Sequence, residues 1–415
     1  MRYAQRLINC GRWNLLDWMQ DCARDDIDGP ARSHKRICIK AASVGDLERI
    51  QSQAEKYSIS VPDCAPAARY GHLHVLEWLA ADANLPSMAD ICKHAAKGGH
   101  LHVIQWGVAN GLAKHSQACA CAAKYGHFEV LKWLHHYGFE LSESACAGAA
   151  KRGDLEMLQW LRANGCPWDR MTCIRAAERG HLCVLEWTRA HGCPWDSTVC
   201  DRAARYGHLH ILKWARDHGC PWNDWTYVYA AKGGHLEVLQ WARANGCPWD
   251  SRACSRAAKW GHLCVLQWLL ANGCPWNKGI SYDAARSGNP KILECARVNG
   301  CAWDVWVMNY AACRGHVSVL EWAHTNACPT SNDVCWYAAN HGRLGALRWA
   351  VDKGLHLTSG LYVAAAWGNH LSILEWLKTN GCPLPQRSRL PDDVNTHPVV
   401  RGWFAKEYAL QESHT

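Results

Sequence analysis

Phenylalanine, long apolar runs and compact cysteine motifs are all scarce in this chain. Phe occurs 3 times among 415 residues while Trp occurs 25 times, an imbalance that indicates repeated copying of one template. No stretch approaches the roughly eighteen consecutive apolar residues that a transmembrane helix needs. The opening segment, MRYAQRLINCGRWNLLDW, lacks the apolar core and the small-residue cleavage site of a signal peptide. We therefore expect an intracellular protein, cytoplasmic or nuclear, with no membrane segment.

Catalytic and metal-binding constellations are also missing. No Ser-His-Asp set, Gly-rich phosphate loop or pair of carboxylates stands out in one repeat alone, and a catalytic site should be singular. The 24 cysteines include no Cys-x-x-Cys. The short pairs His181/Cys183 and His262/Cys264 lack the further ligands that zinc requires. We predict no enzymatic activity, no cofactor and no bound metal.

What the chain has is a repeat of 27 residues built round the phrase Ala-Ala-x-x-Gly-His-Leu. The Gly of this phrase is called the anchor, and the last repeat has Asn369 in its place. From Gly99 to Asn369 the distance is 270 residues, or ten repeats. Such periods are typical of solenoids and propellers, in which each repeat buries its apolar face against its neighbours. The glycine anchors are Gly11, Gly45, Gly71, Gly99, Gly126, Gly153, Gly180, Gly207, Gly234, Gly261, Gly288, Gly315 and Gly342.

Each repeat predicts two helices. Helix B follows the anchor and carries a wide apolar stripe at helical spacing, as in the segment 154–164. Gly165 then marks the helix end, and Pro167 prevents continuation. Helix A runs roughly from Arg170 to Arg179. Good N-cap residues precede helix A in nine consecutive repeats, namely Ser142, Asp169, Asp196, Asn223, Asp250, Asn277, Asp304, Ser331 and Thr358.

Three segments follow from this pattern. Residues 1–34 form a degenerate or capping repeat with a polar loop over Asp25–Lys35, residues 35–382 form the solenoid, and residues 383–415 form a linker and a capping helix. The capping helix is predicted because solenoid ends must be covered. Its apolar residues recur at helical spacing, at Val399, Val400, Trp403, Phe404 and Tyr408.

The segment Ala230–Leu239, Ala-Ala-Lys-Gly-Gly-His-Leu-Glu-Val-Leu, resembles the ankyrin repeat. The resemblance covers residues from about 35 to 382 and implies an all-α, ankyrin-like solenoid of about 13–14 helix-turn-helix repeats. The period is 27 residues instead of the roughly 33 of ankyrin repeats, so the β-hairpin fingers should be shortened or absent. The Gly-Cys-Pro-Trp-Asp linker is similar to those of ankyrin proteins in large DNA viruses of amoebae and some protists, which implies a host-cell location for a viral protein.

The copied Cys, His and Trp residues are interpreted as scaffold. Nine Cys lie seven residues before an anchor and eight more follow helix B, and members of one column are too far apart to bond to each other. We interpret both columns as small buried apolar residues. The His after each anchor is expected to make local backbone hydrogen bonds at the start of helix B. The Trp seven residues after the anchor is expected to fill the core.

Recognition residues should lie at the positions that differ from one repeat to the next. Helix A varies most at one, five and nine residues before the anchor, positions that share one helix face. Trp, Tyr and Arg, the types enriched in binding hot spots, collect there in the seventh to thirteenth repeats. These predicted partner-binding residues are Arg175, Arg179, Arg202, Tyr206, Trp225, Tyr229, Arg252, Arg256, Trp260, Trp306, Tyr310, Arg314 and Tyr337.

The resulting hypothesis is a monomeric, non-enzymatic scaffold that binds a protein on the concave helix A face. A flanking column of Lys and Arg, together with these arginines, favours an acidic partner, which the modest net charge of +8 allows. The alternative from another class is binding of single-stranded nucleic acid by Arg and stacking aromatics, which the modest charge makes less favoured. A further alternative, a ubiquitin-ligase substrate adaptor, rests on family analogy alone.

Overall fold

The structure, a computed structural model, describes residues 38–57, 65–81, 88–111, 116–277, 279–301, 303–386 and 398–412. Within these ranges every regular element is a helix and no strand occurs, which confirms the all-α prediction and the loss of the fingers. The predicted segment 1–34, with its anchor Gly11 and the loop Asp25–Lys35, lies outside the described residues. No helix in the described ranges is long and apolar enough to traverse a lipid bilayer.

Two kinds of helix alternate along the chain. The A helices end at an anchor and comprise residues 38–44, Ala65–Tyr70, Met88–Gly98, Ser116–Tyr125, Glu143–Arg152, Arg170–Arg179, Thr198–Arg205, Asp224–Gly233, Ser251–Trp260, Ile280–Ser287, Val305–Arg314, Asp333–Asn340 and Gly360–Trp367. The B helices follow the anchor and comprise Leu47–Tyr57, Leu73–Ala81, Leu101–Ala109, Phe128–His136, Leu155–Ala163, Leu182–Ala190, Leu209–Asp217, Leu236–Ala244, Leu263–Ala271, Pro290–Val298, Val317–Thr325, Leu344–Asp352 and Leu371–Thr379.

The described helices belong to two compact units, one ending at Val199 and one starting at Cys200. The boundary falls within the A helix Thr198–Arg205 and has no counterpart in the predicted segments. Within each unit, A helices pack side by side with the next A helix and against the B helix of their own repeat. Each unit is therefore a solenoid of helix pairs, as the period predicted.

The core of a repeat is built from a few small and branched side chains. In Leu155–Ala163, Met157, Leu158 and Leu161 are fully buried, and burial of a side chain of this size stabilises the fold by about 2 kcal/mol. In the next A helix, Ala176 and Ala177 are also fully buried. Because Ala has no atoms beyond Cβ, neighbouring A helices approach closely at this point.

The linker between repeats is fixed by its own chemistry. Gly165 has φ +74°, and the backbone N–H of Cys166 donates to the carbonyl of Leu161 at 3.0 Å, so the B helix ends in a Schellman motif. The Arg162 guanidinium donates to the carbonyl of Cys166 and lies 4.3 Å above the Trp168 ring. The same Arg-over-Trp contact recurs in four further linkers, at Arg189/Trp195, Arg216/Trp222, Arg243/Trp249 and Arg297/Trp303.

Most of the predicted N-caps form, but two do not: the Ser142 side chain makes no capping bond, and the helix Gly360–Trp367 is preceded by Ser359 and is not capped by Thr358. The carboxylate of Asp169 accepts the backbone N–H of Met171 at 2.9 Å, and Asn223, Asp250 and Asp304 cap their helices in the same way. Each such cap contributes about 1 kcal/mol because it satisfies an N–H that has no partner inside the helix. The cap residue and the Arg–Trp contact together set the direction in which the next A helix starts.

A final helix, Pro398–Glu412, packs on the last described pair. Its Phe404 and Tyr408 are buried, and the Tyr362 ring lies 6.4 Å from the Phe404 ring. The Tyr408 hydroxyl donates to the carbonyl of Pro385 at 2.8 Å. These contacts cover the apolar side of the last A helix.

Candidate functional site

The predicted recognition residues all lie on the open side of the A helices, and none of them is buried. Among these predicted residues the most exposed rings are those of Trp260, Trp306, Tyr206 and Trp225, with 52%, 44%, 43% and 39% of their surface accessible. Large aromatic surfaces are costly to leave in water unless a partner covers them. Their exposure on a regular scaffold makes this face the candidate site.

Tyr229 lies at the centre of a first cluster in the second unit. Its ring centroid is 5.7 Å from that of Trp225, on the same helix one turn earlier. The guanidinium carbons of Arg202 and Arg205, from the preceding A helix, each lie 5.9 Å from the Tyr229 centroid. A guanidinium at this distance is attracted by the electron-rich ring face. Positive charge and aromatic surface are therefore interleaved across two helices.

Arg252 belongs to the same cluster but its charge is already compensated. Its guanidinium lies 4.5 Å from the Trp225 centroid and pairs with Asp250 at 2.6 Å and with Asp224. The hydrogen bond from Arg252 lowers the pKa of the Asp250 carboxyl. Arg252 thus positions the Trp225 ring and offers little net charge to a partner.

The other end of the first cluster is strongly cationic. The Lys232 ammonium lies 4.9 Å from the Trp260 centroid. Burial lowers the pKa of Lys232, and the positive charges of Arg205, Arg256 and Lys259 lower it further. A site whose cations repel one another gains when an anion enters, because the anion relieves that repulsion.

A second cluster surrounds Tyr310 in the same unit. The Arg286 guanidinium lies 3.7 Å from its ring centroid, and the rings of Trp306 and Tyr282 lie 5.9 Å and 5.6 Å away. Trp306 also reaches Tyr337 on the next A helix, at 6.1 Å. The second cluster is therefore more aromatic and less cationic than the first.

The first unit holds two of the predicted residues, Arg175 and Arg179. Arg179 is exposed. Arg175 pairs with the nearly buried Glu178 at 2.5 Å, which neutralises its charge. A groove of about 350 Å³ beside them is lined by residues of both charges, including Lys151, Asp169 and Arg175. On the A helices of the first unit the exposed rings are Tyr70 and Tyr125, fewer than on those of the second unit.

Sequence reasoning missed several members of the second cluster. Tyr282 donates a hydrogen bond to Asp304 at 2.6 Å, which raises its pKa to about 12. Trp336 packs edge-on against Tyr337 at 5.1 Å and against Trp367 at 6.3 Å. Tyr282 and Trp336 both stand six residues before an anchor, so a face widened by one position would have included them.

The anchor histidines are structural, but their bonds are not local. The Nε2 atom of His181 lies 3.3 Å from the carbonyl of Lys151, thirty residues earlier and in the preceding A helix. Equivalent contacts join His127, His235, His262, His316 and His370 to the preceding repeat. The expectation of local backbone bonds was wrong, since none of these His side chains caps its own B helix.

The repeated Trp of the B helices is also placed differently from the prediction. Trp187 is half-buried, and its ring meets the linker residue Trp168 edge-on at 5.8 Å. Among the described members only Trp349 is buried, so core filling was wrong for this column. The ring lies against the linker between repeats, where one side stays open to solvent.

The two cysteine columns are buried as predicted, apart from Cys64, which lies outside the described residues. No group of three or more His, Cys, Asp or Glu side chains converges within the described ranges in a way that could hold a metal ion. The charged and aromatic A-helix face therefore remains the strongest candidate site.

Comparison with known proteins places part of this chain near one family. The family model described as "Ankyrin repeats (many copies)" matches residues 119–162, which span two helix pairs. No curated protein matches the chain. Among solved structures, the human ASB11 ankyrin repeat domain is similar with a TM-score of 0.36 and 17% identity, over 45% of this chain and 99% of that one. The pentatricopeptide repeat protein PPR10, in complex with an 18-nt psaJ RNA element, is similar with a TM-score of 0.40 and 14% identity, over 84% of this chain and 63% of that one.

Proposed function

We propose that this chain is a non-enzymatic scaffold of short ankyrin-like repeats, similar to those of amoebal viruses and protists, that binds a partner protein. The observation that carries the proposal is the concentration of exposed Trp, Tyr and Arg side chains on the A helices of the second unit. The ankyrin match at residues 119–162 supports it, because that repeat is used for protein binding.

The proposed partner is an acidic segment that also carries apolar side chains. Its carboxylates would face the cations that surround Lys232, where the like charges of Arg205 and Arg256 are in excess. Its apolar side chains would cover the exposed rings of Trp260 and Trp306. Burying aromatic rings and Arg together is typical of the residues that dominate binding energy.

The predicted partner-binding residues are expected to contribute unequally to the binding energy. The exposed Trp260 and the half-buried Tyr229 and Arg256 lie near the excess positive charge around Lys232. Arg252 and Arg175 are expected to contribute less, because carboxylates already pair with them.

The test is a direct binding measurement with two defined probes. A fluorescein-labelled peptide of alternating Glu and Leu, about twelve residues long, spans roughly four helix spacings. An oligouridylate of about the same length presents phosphates and bases instead. Fluorescence anisotropy with the full chain should show binding of the peptide.

The variant Tyr229→Ala/Arg256→Ala/Trp260→Ala should weaken peptide binding at least about 30-fold, the equivalent of about 2 kcal/mol. The matched control is Lys213→Ala/Glu237→Ala/Gln240→Ala, three exposed B-helix positions in the same region, and it should bind as the original chain does. Equal affinity of both variants would remove the A-helix face from the proposal. Tighter binding of the oligouridylate, falling linearly with salt on a log–log plot, would replace protein with single-stranded RNA.

A further inference from the structure

The two cysteine columns meet inside individual repeats. The Sγ atoms of Cys146, in an A helix, and Cys166, just after the following B helix, lie 3.4 Å apart. Neither side chain is accessible to solvent. The two residues are twenty positions apart in the chain and belong to different columns. Thiols therefore approach each other between the two columns, although members of one column are too far apart to do so.

The same arrangement recurs at three other repeats. In each of these, two thiols with the same twenty-residue spacing influence each other: Cys193 lowers the pKa of Cys173, Cys220 raises that of Cys200, and Cys274 raises that of Cys254. All six are buried. Four repeats therefore hold a pair of facing thiols at the same place in the fold.

The position of the second thiol is set by the linker geometry. The Cys166 Sγ donates to the carbonyl of the cap residue Ser142 at 3.3 Å, and Cys193 and Cys274 make the matching contact with Asp169 and Asp250. Because the backbone of Cys166 is also held by the Schellman motif, the sulfur is directed at the A helix. A disulfide bond is about 2.05 Å long, so the two sulfurs need to approach by roughly 1.4 Å.

Other repeats show that the fold does not require the pairing. The residue that stands opposite Cys301 is Ser281, and the residues opposite Cys247 and Cys328 are Tyr227 and Met308. These repeats form the same helix pairs. The scaffold therefore accepts a hydroxyl, a ring or a thioether where the four repeats place a thiol.

We propose that these four pairs are disulfide-forming sites, each linking an A helix to the linker that follows the next B helix of the same repeat. The oxidant is hydrogen peroxide or a related small peroxide. One thiolate attacks a peroxide oxygen, forming a sulfenic acid and releasing hydroxide, which takes up the proton lost by that thiol to give water. The second thiol then attacks the sulfenic sulfur, forming the S–S bond and releasing a second water. Two electrons pass from each pair to one peroxide.

The local chemistry favours one thiol of a pair as the attacking group. The hydrogen bond from the Cys146 thiol lowers the pKa of Cys166, and the nearby Arg162 charge acts in the same direction. Cys254 lowers the pKa of Cys274 in the same way. Since the pairs are buried, reaction waits for local opening of the repeat and is slower than that of the exposed Cys183 and Cys264.

The experiment maps disulfides in the folded full chain. The protein is treated with hydrogen peroxide, unfolded in an alkylating agent and digested without reductant, and the linked peptides are identified by mass spectrometry. We expect cross-links 146–166, 173–193, 200–220 and 254–274, with eight fewer thiols alkylated. Absence of these four links from the oxidised chain, or links between arbitrary cysteines in their place, would overturn the proposal.

Three variants keep the test independent of folding defects. Cys166→Ser should remove the 146–166 link and leave the other three, whereas Cys247→Ser, at a buried thiol opposite Tyr227, should leave all four. Ser281→Cys should add a fifth link, 281–301. Failure of Ser281→Cys to form that link in a chain with native circular dichroism would contradict the geometric argument, whatever the other variants do.

Discussion

The A helix Asp224–Gly233 contains two contrasting regions. It ends at a turn whose residues recur in most repeats, and it carries an open face whose residues vary between repeats. At the turn, Gly234 has φ +80°, and a Cβ added there would lie 2.5 Å from the His262 ring of the next repeat. On the face, Trp225 and Tyr229 extend towards solvent and touch neighbouring residues mainly through ring contacts. A substitution at the turn disturbs the packing of two repeats and should lower stability. A substitution on the face should mainly alter the binding of a partner.

The largest effect on stability is expected when an anchor glycine is substituted. Gly234→Ala should cost about 3 kcal/mol in the free energy of unfolding, because the left-handed backbone is strained and the His262 ring must move. Gly261 has the same role and a φ of +86°, but no atom lies within 4 Å of its added Cβ. Gly261→Ala should therefore cost only about 1–2 kcal/mol. Urea denaturation measures both, and equal losses would show that the His contact adds nothing.

Tryptophan substitutions separate binding from stability. Trp260→Ala should weaken binding of the acidic peptide about 30-fold and change the unfolding free energy by less than about 1 kcal/mol. Trp241→Ala, at a half-buried B-helix ring 5.7 Å from Trp222, should lower the stability by about 2 kcal/mol and leave binding unchanged. Anisotropy and urea titration of both variants give the four values. A stability loss at Trp260 as large as that at Trp241 would make the face part of the scaffold.

The stability that the anchor histidines give to the turn should also depend on pH. Burial lowers the pKa values of His100, His235 and His370 below the usual 6.5. The unfolded chain therefore binds protons more readily than the folded chain once the pH falls below about 6.5. The contribution of these neutral rings is complete above that pH and is lost as the pH falls towards the lowered pKa values.

Urea midpoints measured between pH 7.5 and pH 5 should therefore decrease towards acid. His235→Gln keeps a side-chain donor near the carbonyl of Arg205 and should make the decrease smaller. A pH dependence that is unchanged in this variant would show that other groups cause it.

The smallest effects are expected on the face, at two arginines of one helix. Arg256→Gln should weaken peptide binding about fivefold, or about 1 kcal/mol, because its charge adds to the cations near Lys232. Arg252→Gln should weaken it less, since Asp224 and Asp250 already compensate that charge, and should alter stability by at most about 1 kcal/mol. Titration of the labelled peptide ranks the two, and a larger loss at Arg252 would reverse the interpretation of the cluster.

The features that the sequence could predict are local ones. The helix starts at Asp169 and Asp250 and the helix end at Gly165 depend on residues within one turn of the chain, so caps and breakers identify them. The alternation of A and B helices follows from the period, and the structure confirms it.

Contacts between residues far apart in the sequence could not be predicted from these local signals. The bond from His181 to Lys151 spans thirty residues, and the approach of Cys146 to Cys166 depends on how a linker folds back on an A helix. Spacing along one helix also could not show that Tyr282 reaches Tyr310 on the next helix. The binding role of the A-helix face stays a prediction, because side-chain exposure shows where a partner fits and not that one binds.

Anchor histidines such as His181 and His262 each join their repeat to the preceding one, and this has a mechanical consequence. Within a unit, no repeat is held by a distant one through these bonds, so tension applied along the chain should open repeats one at a time. Each opening would release one period of 27 residues, about 90 Å of extended chain. Held between two beads, the chain should therefore lengthen in even steps, and a Gly234→Ala substitution should lower the force of the first step.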